Sequence, residues 1–213
     1  MEIIPVINCL DFKTAAGRIA KAETFLKKGD WLHVDVADGI FTFHKSWRNP
    51  AEWMSLDSKL NLEVHLMVEH PEHYIEQWIK AGAKRIIVHA ETLTKHMARE
   101  IARHAAKKKV ALMLASNPHT AIAELWPLLP FFSGFQVLAV DPGPAGQKII
   151  PIALEKAKFL RNFAPNAIIE VDGGVVPETM KAIRAAGADI AVAGSYIFNS
   201  RNPKKAYRKL KNF

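Results

Sequence analysis

Short apolar, β-branched segments alternate with longer helix-like segments along the whole chain. The strand-like segments are 2–7, 31–36, 62–68, 85–90, 110–115, 134–140, 167–172 and 189–194. The helix-like segments include 12–29, 71–82, 94–109, 150–163 and 177–187. Such alternation predicts a parallel α/β fold, and eight strand–helix units favour a closed barrel over an open sheet. We therefore expect one domain, a single (β/α)8 TIM barrel spanning residues 1–213.

The composition gives no sign of a second domain or of a membrane anchor. The 213 residues are 49% hydrophobic, which suffices for one full core, and no linker or low-complexity tract divides them. No apolar run is long enough to predict a membrane span, and the N-terminal segment lacks the basic region of a secretory signal. The single cysteine, Cys9, excludes an internal disulfide and is typical of a reducing, cytoplasmic location.

The chain is basic, with 29 Lys and Arg against 21 Asp and Glu and a net charge of +8. Basic residues are dense in RNPKKAYRKLK, 201–211, which we interpret as the solvated face of a C-terminal helix. The chain has neither zinc-finger spacing nor an RNP-type aromatic motif, so we expect no nucleic-acid partner. A positive field instead favours anionic small substrates.

Four residues that are good ligands for divalent metals lie in or at the ends of predicted strands: His33, Asp35, His65 and Asp172. His33 and Asp35 are two residues apart, so on a strand their side chains point to the same face. In a barrel the active site forms at the C-terminal ends of the strands, where these residues fall. Two imidazoles and two carboxylates suit zinc, iron, manganese or cobalt. Carboxylates on opposite sides of a sugar can also act as base and acid.

Five sequence blocks resemble those of the ribulose-phosphate 3-epimerase family. They are HVDVADG (33–39), HLMVEHP (65–71), VDPGPAGQK (140–148), EVDGGV (170–175) and VAGSYIF (192–198). Their order and spacing match as well, and the resemblance runs from about residue 3 to residue 200. It implies an isomerase of carbohydrate metabolism, as in the pentose phosphate pathway. The expected reaction inverts C3 of a ketose phosphate, with D-ribulose 5-phosphate going to D-xylulose 5-phosphate.

The resemblance also implies roles for the four candidate ligands. It makes His33, Asp35, His65 and Asp172 the ligands of one divalent metal ion, and Asp35 and Asp172 the two proton-transfer groups. The metal is expected to stabilise an enediolate as a Lewis acid. Inversion needs a proton to leave one face and another to reach the opposite face, so one carboxylate is ionised and the other protonated. A homo-oligomer is expected as well.

Glycine-rich segments are expected to bind the phosphate of the substrate through backbone N–H groups. Two such segments follow the seventh and eighth predicted strands, where barrels often bind phosphate. A third follows the sixth strand and resembles the family's flexible loop. The residues expected to contact the substrate are His65, Gly143, Pro144, Ala145, Gly146, Gly173, Gly174, Gly194 and Ser195.

The chain departs from the family pattern near the expected substrate. Val6 replaces a serine of the first strand and cannot form a hydrogen bond through its side chain, and Ala37 and Leu138 replace methionines expected to cap the metal. The segment 38–47 is also different, with His44 in place of an asparagine. We expect Ala37 to open space near the metal. We also expect Trp47 in this segment to face the substrate.

Two alternatives stay open. The first is the same chemistry on another sugar phosphate, such as D-allulose 6-phosphate, whose enzymes resemble this chain at Cys9 and VDPGPAG. The second is a non-catalytic sugar-phosphate-binding barrel, which the retention of all four candidate ligands disfavours. A decarboxylase or hexulose-phosphate synthase is disfavoured because such enzymes carry an Asp-x-Lys-x-x-Asp array, and HVDVADG has no lysine.

Overall fold

Eight parallel strands pair in chain order and close into a barrel, as predicted. The structure is a computed structural model that describes residues 1–213. The strands are β1 Glu2–Ile7, β2 Trp31–Ala37, β3 Asn61–Met67, β4 Ala83–His89, β5 Ala111–Ser116, β6 Gly134–Leu138, β7 Ile168–Asp172 and β8 Ile190–Ala193. Pairing of β8 with β1 completes the barrel, so the C-terminal ends of all eight strands surround one opening.

Helices cover the outside of the barrel. They are α1 Phe12–Glu23, α2 Pro50–Ser55, α3 Glu72–Lys80, α4 Lys95–Lys107, α5 Ile122–Leu125, α6 Pro151–Phe163, α7 Met180–Ala185, α8 Ser195–Phe198 and α9 Pro203–Lys211. In α4 the buried residues Ala98, Ile101 and Ala105 recur at helical spacing, and the Thr94 hydroxyl caps its first turn. No helix is both long and apolar enough to cross a membrane.

The first helix is shorter than the segment 12–29 predicted for it. It ends at Glu23, because the Thr24 hydroxyl and the Thr24 N–H both donate to the Lys21 carbonyl. The chain then turns through Gly29, whose φ of +87° suits a glycine. Helices α2 and α8 were not predicted, since six and four residues are too few to show a helical period.

The basic C-terminal segment forms α9, as the sequence predicts. Its inner face buries Ala206, Tyr207 and Leu210, while its lysines and Arg208 are exposed. The Tyr207 ring packs against Phe25 at 5.0 Å between ring centroids. The basic cluster is therefore the solvated face of a helix that is anchored on the barrel by apolar contacts.

The interior of the barrel carries a polar layer. On β2, Leu32, Val34 and Val36 join the apolar core between strands and helices, whereas His33 and Asp35 alternate with them and point inward. Inward-pointing polar residues on the other strands complete the layer. Its members are His33, Asp35, Glu63, His65, Arg85, His89, Gln136, Glu170 and Asp172, and all of them are buried.

Candidate active site

The four predicted metal ligands meet at the C-terminal end of the barrel. Asp35 Oδ1 lies 3.2 Å from His33 Nε2 and 3.0 Å from His65 Nδ1. Asp172 Oδ2 lies 3.5 Å from His65 Nδ1 and 4.0 Å from His33 Nε2. In a tetrahedral site with ligand bonds of about 2.0–2.2 Å, ligand atoms are about 3.3–3.6 Å apart. The observed distances bracket this range, so the donor set fits one divalent cation.

His33 is oriented by a buried carboxylate behind it. Its Nδ1 lies 2.6 Å from Glu63 Oε1, and neither side chain is exposed. An Nδ1–H donating to Glu63 leaves the Nε2 lone pair facing Asp35 and Asp172. Metal-binding histidines are usually held by such a partner on the other ring nitrogen.

His65 is oriented through a second histidine. Its Nε2 lies 2.8 Å from His89 Nε2, and His89 Nδ1 lies 3.0 Å from Glu91 Oε2. Burial lowers the pKa of His89, which favours the neutral ring that can accept at Nε2. With a cation bound, two neutral rings would satisfy this chain: His65 donates from Nε2 to His89, and His89 donates from Nδ1 to Glu91. His65 Nδ1 is then left as a ligand atom that faces the cluster.

Replacing His89 with phenylalanine is expected to weaken divalent-cation binding roughly 10–100-fold, the usual cost of losing an orienting partner of a metal ligand. Phenylalanine keeps a ring beside Phe41, which packs on His89 at 4.6 Å, but leaves His65 Nε2 without an acceptor. Competition with a fluorescent chelator measures the affinity. His104→Phe, at a partly exposed histidine paired with Glu76, is the matched control. Equal affinities in both variants would contradict the orienting role.

The charge state of Asp35 follows from its neighbours. Burial raises the pKa of this carboxyl, but in the metal-free cluster protons on the imidazole nitrogens of His33 and His65 that face it outweigh the burial and hold the pKa well below its usual value. A bound cation would take the place of these two protons. Glu170 behaves oppositely, because burial and the nearby Glu63 charge raise its pKa well above the ordinary range. The polar layer therefore combines a carboxyl whose surroundings favour the ionised form, Asp35, with one whose surroundings favour the neutral form, Glu170.

A buried ion pair supports the layer from below. Arg85 Nη1 lies 2.5 Å from Glu63 Oε2, and the two side chains are 7% and 0% exposed. The guanidinium also stacks on the Trp31 ring at 4.2 Å. Glu63 thus contacts Arg85 through one oxygen and His33 through the other. This pair was not predicted from the sequence, although an arginine within the apolar segment 85–90 was an available signal.

A cavity above the cluster is lined by every glycine-rich segment predicted to contact the substrate. Those residues are Gly143, Pro144, Ala145, Gly146, Gly173, Gly174, Gly194 and Ser195. Asp35 and Asp172 form part of the same lining, whereas His33 and His65 are fully buried beneath it. A Cβ on Gly174, at φ +66°, would lie 2.6 Å from the Ile149 backbone nitrogen, so only glycine fits there.

The end of the cavity near β7 and β8 suits an anion, although it has no cationic side chain. No lysine or arginine lines the cavity. The N–H groups of Gly173, Gly174, Gly194 and Ser195 donate to no other backbone group. Free N–H groups at the ends of barrel strands can receive a phosphate.

Two expectations for the end of β2 and the divergent segment 38–47 are wrong. Trp47 does not face the cavity: it is 6% exposed, packs on Phe12 and donates from Nε1 to Glu52 at 2.6 Å. The indole N–H is satisfied on the helical side, which holds the ring away from the opening. Ala37 does not enlarge the cavity beside the candidate metal ligands, because it is fully buried and does not line that cavity.

Asn8 lines the cavity and was missed. It follows the last residue of β1 and donates from Nδ2 to Asp35 Oδ2 at 2.9 Å. His44 Nε2 donates to Asn8 Oδ1 at 2.8 Å. The available signal was its spacing: Asn8 lies two residues after Val6 and therefore on the same side of the strand.

Lys156 supports Glu91 from the side away from His89, through the backbone of Asn117. Its ammonium donates to the Asn117 carbonyl at 2.5 Å, and the Asn117 N–H donates to Glu91 at 2.8 Å. Lys156 is 4% exposed, and burial lowers its pKa to about 8. The buried cation therefore loses its proton far more easily than an exposed lysine does.

Because of Lys156, the free energy of unfolding of the protein is expected to rise with pH. Between about pH 8 and pH 10.4 the unfolded chain holds a proton on this lysine that the folded chain has lost, so alkalinity favours the folded state. Relative to Lys156→Met, the wild type should gain roughly 1–2 kcal/mol over this range, allowing for solvent screening. Urea unfolding of both proteins at several pH values measures the difference. Parallel pH profiles would contradict the buried-cation account.

Comparison with known proteins agrees with the geometry. A family model described as the ribulose-phosphate 3 epimerase family matches residues 2–198. The relative named ribulose-phosphate 3-epimerase from Schizosaccharomyces pombe is 33% identical, with 99% of this chain and 92% of the relative covered. The cytoplasmic isoform of ribulose-phosphate 3-epimerase from Oryza sativa subsp. japonica has the same identity and coverage, 33%, 99% and 92%. A Chlamydia muridarum relative of the same name is 37% identical over 78% of this chain and 75% of its own length.

Solved structures share the fold at lower identity. The 3-hexulose-6-phosphate synthase from Salmonella typhimurium superposes with a TM-score of 0.76 at 16% identity, covering 100% of this chain and 97% of that one. At this identity the likeness concerns the barrel alone. From the family match and the relatives, the chain belongs to the ribulose-phosphate 3-epimerase family and is an epimerase, in the isomerase class.

Proposed function

We propose that the protein inverts C3 of D-ribulose 5-phosphate to give D-xylulose 5-phosphate, and that it needs a divalent metal ion. The observation that supports this most is the placement of Asp35 and Asp172, from β2 and β7, in the lining of one cavity above two buried imidazoles. Relatives of 33% identity and nearly full coverage carry the name ribulose-phosphate 3-epimerase.

The two carboxylates account for inversion. A single group that removed the C3 proton and returned it to the same face would regenerate the substrate, so two groups are needed. Asp35 and Asp172 exchange the roles of base and acid between the two directions of the reaction. A divalent cation held by His33, Asp35, His65 and Asp172 would supply Lewis-acid stabilisation of the negative charge that develops when the proton leaves.

The phosphate of the substrate is proposed to lie against the free N–H groups after β7 and β8. Gly173, Gly174, Gly194 and Ser195 supply these groups. The β6–α6 loop, residues 141–148, would cover the bound phosphate through Gly143 to Gly146. A homo-oligomeric state remains a prediction from the family resemblance, and a cytoplasmic location remains a prediction from the single cysteine.

A comparison of two substrates tests the proposal. Metal-loaded protein is given D-ribulose 5-phosphate or D-allulose 6-phosphate, and the products are separated by chromatography. We expect the higher kcat/KM with ribulose 5-phosphate, loss of conversion after chelation, and recovery on return of zinc, manganese, iron or cobalt ions. Conversion of allulose 6-phosphate alone would assign the site to a six-carbon substrate instead. Binding of both sugars without conversion of either would overturn the proposal.

A further inference from the structure

We infer that Asn8, oriented by His44, is a positioning residue that fixes the Asp35 carboxylate and ties it to the β6–α6 loop. The proton-transfer group and the loop over the substrate are then set in place by one amide. This inference rests on the proposed role of Asp35 in proton transfer.

The amide of Asn8 has one orientation that satisfies all its neighbours. Its Nδ2 lies 2.9 Å from Asp35 Oδ2 and 3.2 Å from the Gly143 carbonyl oxygen, two groups that only accept. Its Oδ1 lies 2.8 Å from His44 Nε2. The flipped amide would place oxygen against both acceptors, so the orientation shown is the one that these contacts require. His44 therefore carries its proton on Nε2.

Asn8 and the imidazoles engage different oxygens of Asp35. Oδ1 faces His33 at 3.2 Å and His65 at 3.0 Å, whereas Oδ2 receives the Asn8 N–H. Holding both oxygens prevents the carboxylate from rotating out of line with the cavity. Oδ2 is thus the oxygen on the side of Asn8 and the β6–α6 loop, away from the imidazoles.

Two hydrogen bonds join residues 141–148 of the β6–α6 loop to the rest of the chain. The Thr42 hydroxyl donates to the Pro142 carbonyl at 2.7 Å, and Asn8 donates to the Gly143 carbonyl at 3.2 Å. The other hydrogen bonds of the loop, from Gln147, stay within it. Loss of Asn8 therefore removes one of two ties while it frees Oδ2 of Asp35. Val6, the neighbouring residue in the lining, has no polar group to replace either contact.

Four variants test the inference. Asn8→Leu keeps similar volume and removes all three contacts, and His44→Leu removes only the group that orients the amide. His44→Gln keeps an N–H donor, and Asn162→Ala, at an exposed site on α6, is the control. We expect kcat to fall roughly 10–100-fold in Asn8→Leu with a smaller change in KM, and to fall less in His44→Leu. His44→Gln should retain activity close to wild type.

Two further measurements separate positioning from a structural defect. Trypsin cleavage after Lys148, which is exposed at the end of the β6–α6 loop, reports how tightly the loop is held without any substrate. Cleavage should be several-fold faster in Asn8→Leu than in Asn162→Ala. Cation affinity, measured by chelator competition, should fall less than in His89→Phe, because Asn8 contacts Asp35 Oδ2 whereas Oδ1 is the oxygen beside His33 and His65.

The outcomes distinguish this inference from the proposed function. An inactive wild type would refute the proposed function, whereas the trypsin rates test the loop tie without catalysis. Equal kcat and equal cleavage rates in Asn8→Leu and wild type would overturn the inference. A loss of kcat that disappears when the cation is brought to saturation would also overturn it, because Asn8 would then act through the metal. If Asn8→Leu does not fold, His44→Leu against His44→Gln gives the same test without a change at the end of β1.

Discussion

Asp172→Asn is expected to slow the conversion of D-ribulose 5-phosphate roughly 10²–10⁴-fold, the usual contribution of a positioned acid–base group. Asparagine keeps the shape of the side chain, and the site beside Gln136 Nε2, 3.3 Å from Asp172 Oδ2, remains filled. An amide, however, neither takes nor delivers a proton at neutral pH. Because Asp35 is still present, exchange of the C3 proton with solvent should persist in one epimer while inversion is slowed by this factor.

The control and the metal content decide how this result is interpreted. Asp57→Asn is matched in chemistry but lies on an exposed turn at φ +46°, where asparagine is equally tolerated, and should keep full activity. Metal content is measured on each preparation and brought to saturation before the assay. Near-full activity of a metal-loaded Asp172→Asn would contradict the two-carboxylate mechanism.

Arg85→Met is expected to lower the free energy of unfolding by roughly 3–5 kcal/mol, the usual cost of removing one partner of a buried ion pair. Methionine fills much of the volume beside Trp31 but leaves the Glu63 carboxylate without its guanidinium partner in the barrel interior. Glu63 is fully buried, so water cannot replace the lost partner. Urea unfolding, with the slope checked against wild type, measures the loss.

A double variant separates the stranded charge from lost packing. Glu63→Gln removes the charge and still offers an oxygen to His33 Nδ1, so Arg85→Met with Glu63→Gln should recover most of the lost stability. Each single variant should then be less stable than the double variant. Additive losses in the double variant would show that the two residues contribute independently and would contradict the ion-pair account.

The barrel and its catalytic end were predictable because their signals are local. Alternation of strand and helix segments predicts eight units, and the spacing of His33 and Asp35 places both on one face of β2. His65 and Asp172 followed from their positions near strand ends. The predicted roles of these residues in metal binding and proton transfer remain predictions, although the structure does bring the side chains together.

The supporting residues were not predictable because their contacts cross between strands. Glu63 and Arg85 lie on β3 and β4, and only the register between strands brings them together. The role of Asn8 depends on its contacts with His44 and Asp35, which are 36 and 27 residues away in the chain. Trp47 was predicted to face the substrate because it lies in the divergent segment 38–47. Its hydrogen bond to Glu52 instead sets the orientation of the side chain. Strand register and loop packing are tertiary features that one sequence does not specify.

Proton NMR in D2O tests the central claim most directly. Metal-loaded protein is mixed with D-ribulose 5-phosphate, and the C3 proton signal is followed together with the appearance of D-xylulose 5-phosphate. Two-carboxylate inversion predicts that the product carries deuterium at C3, and that the Asp35→Asn enzyme forms no product under the same conditions. Product that retains the C3 proton of the substrate, or the absence of any product from folded, metal-bound wild type, would contradict the account.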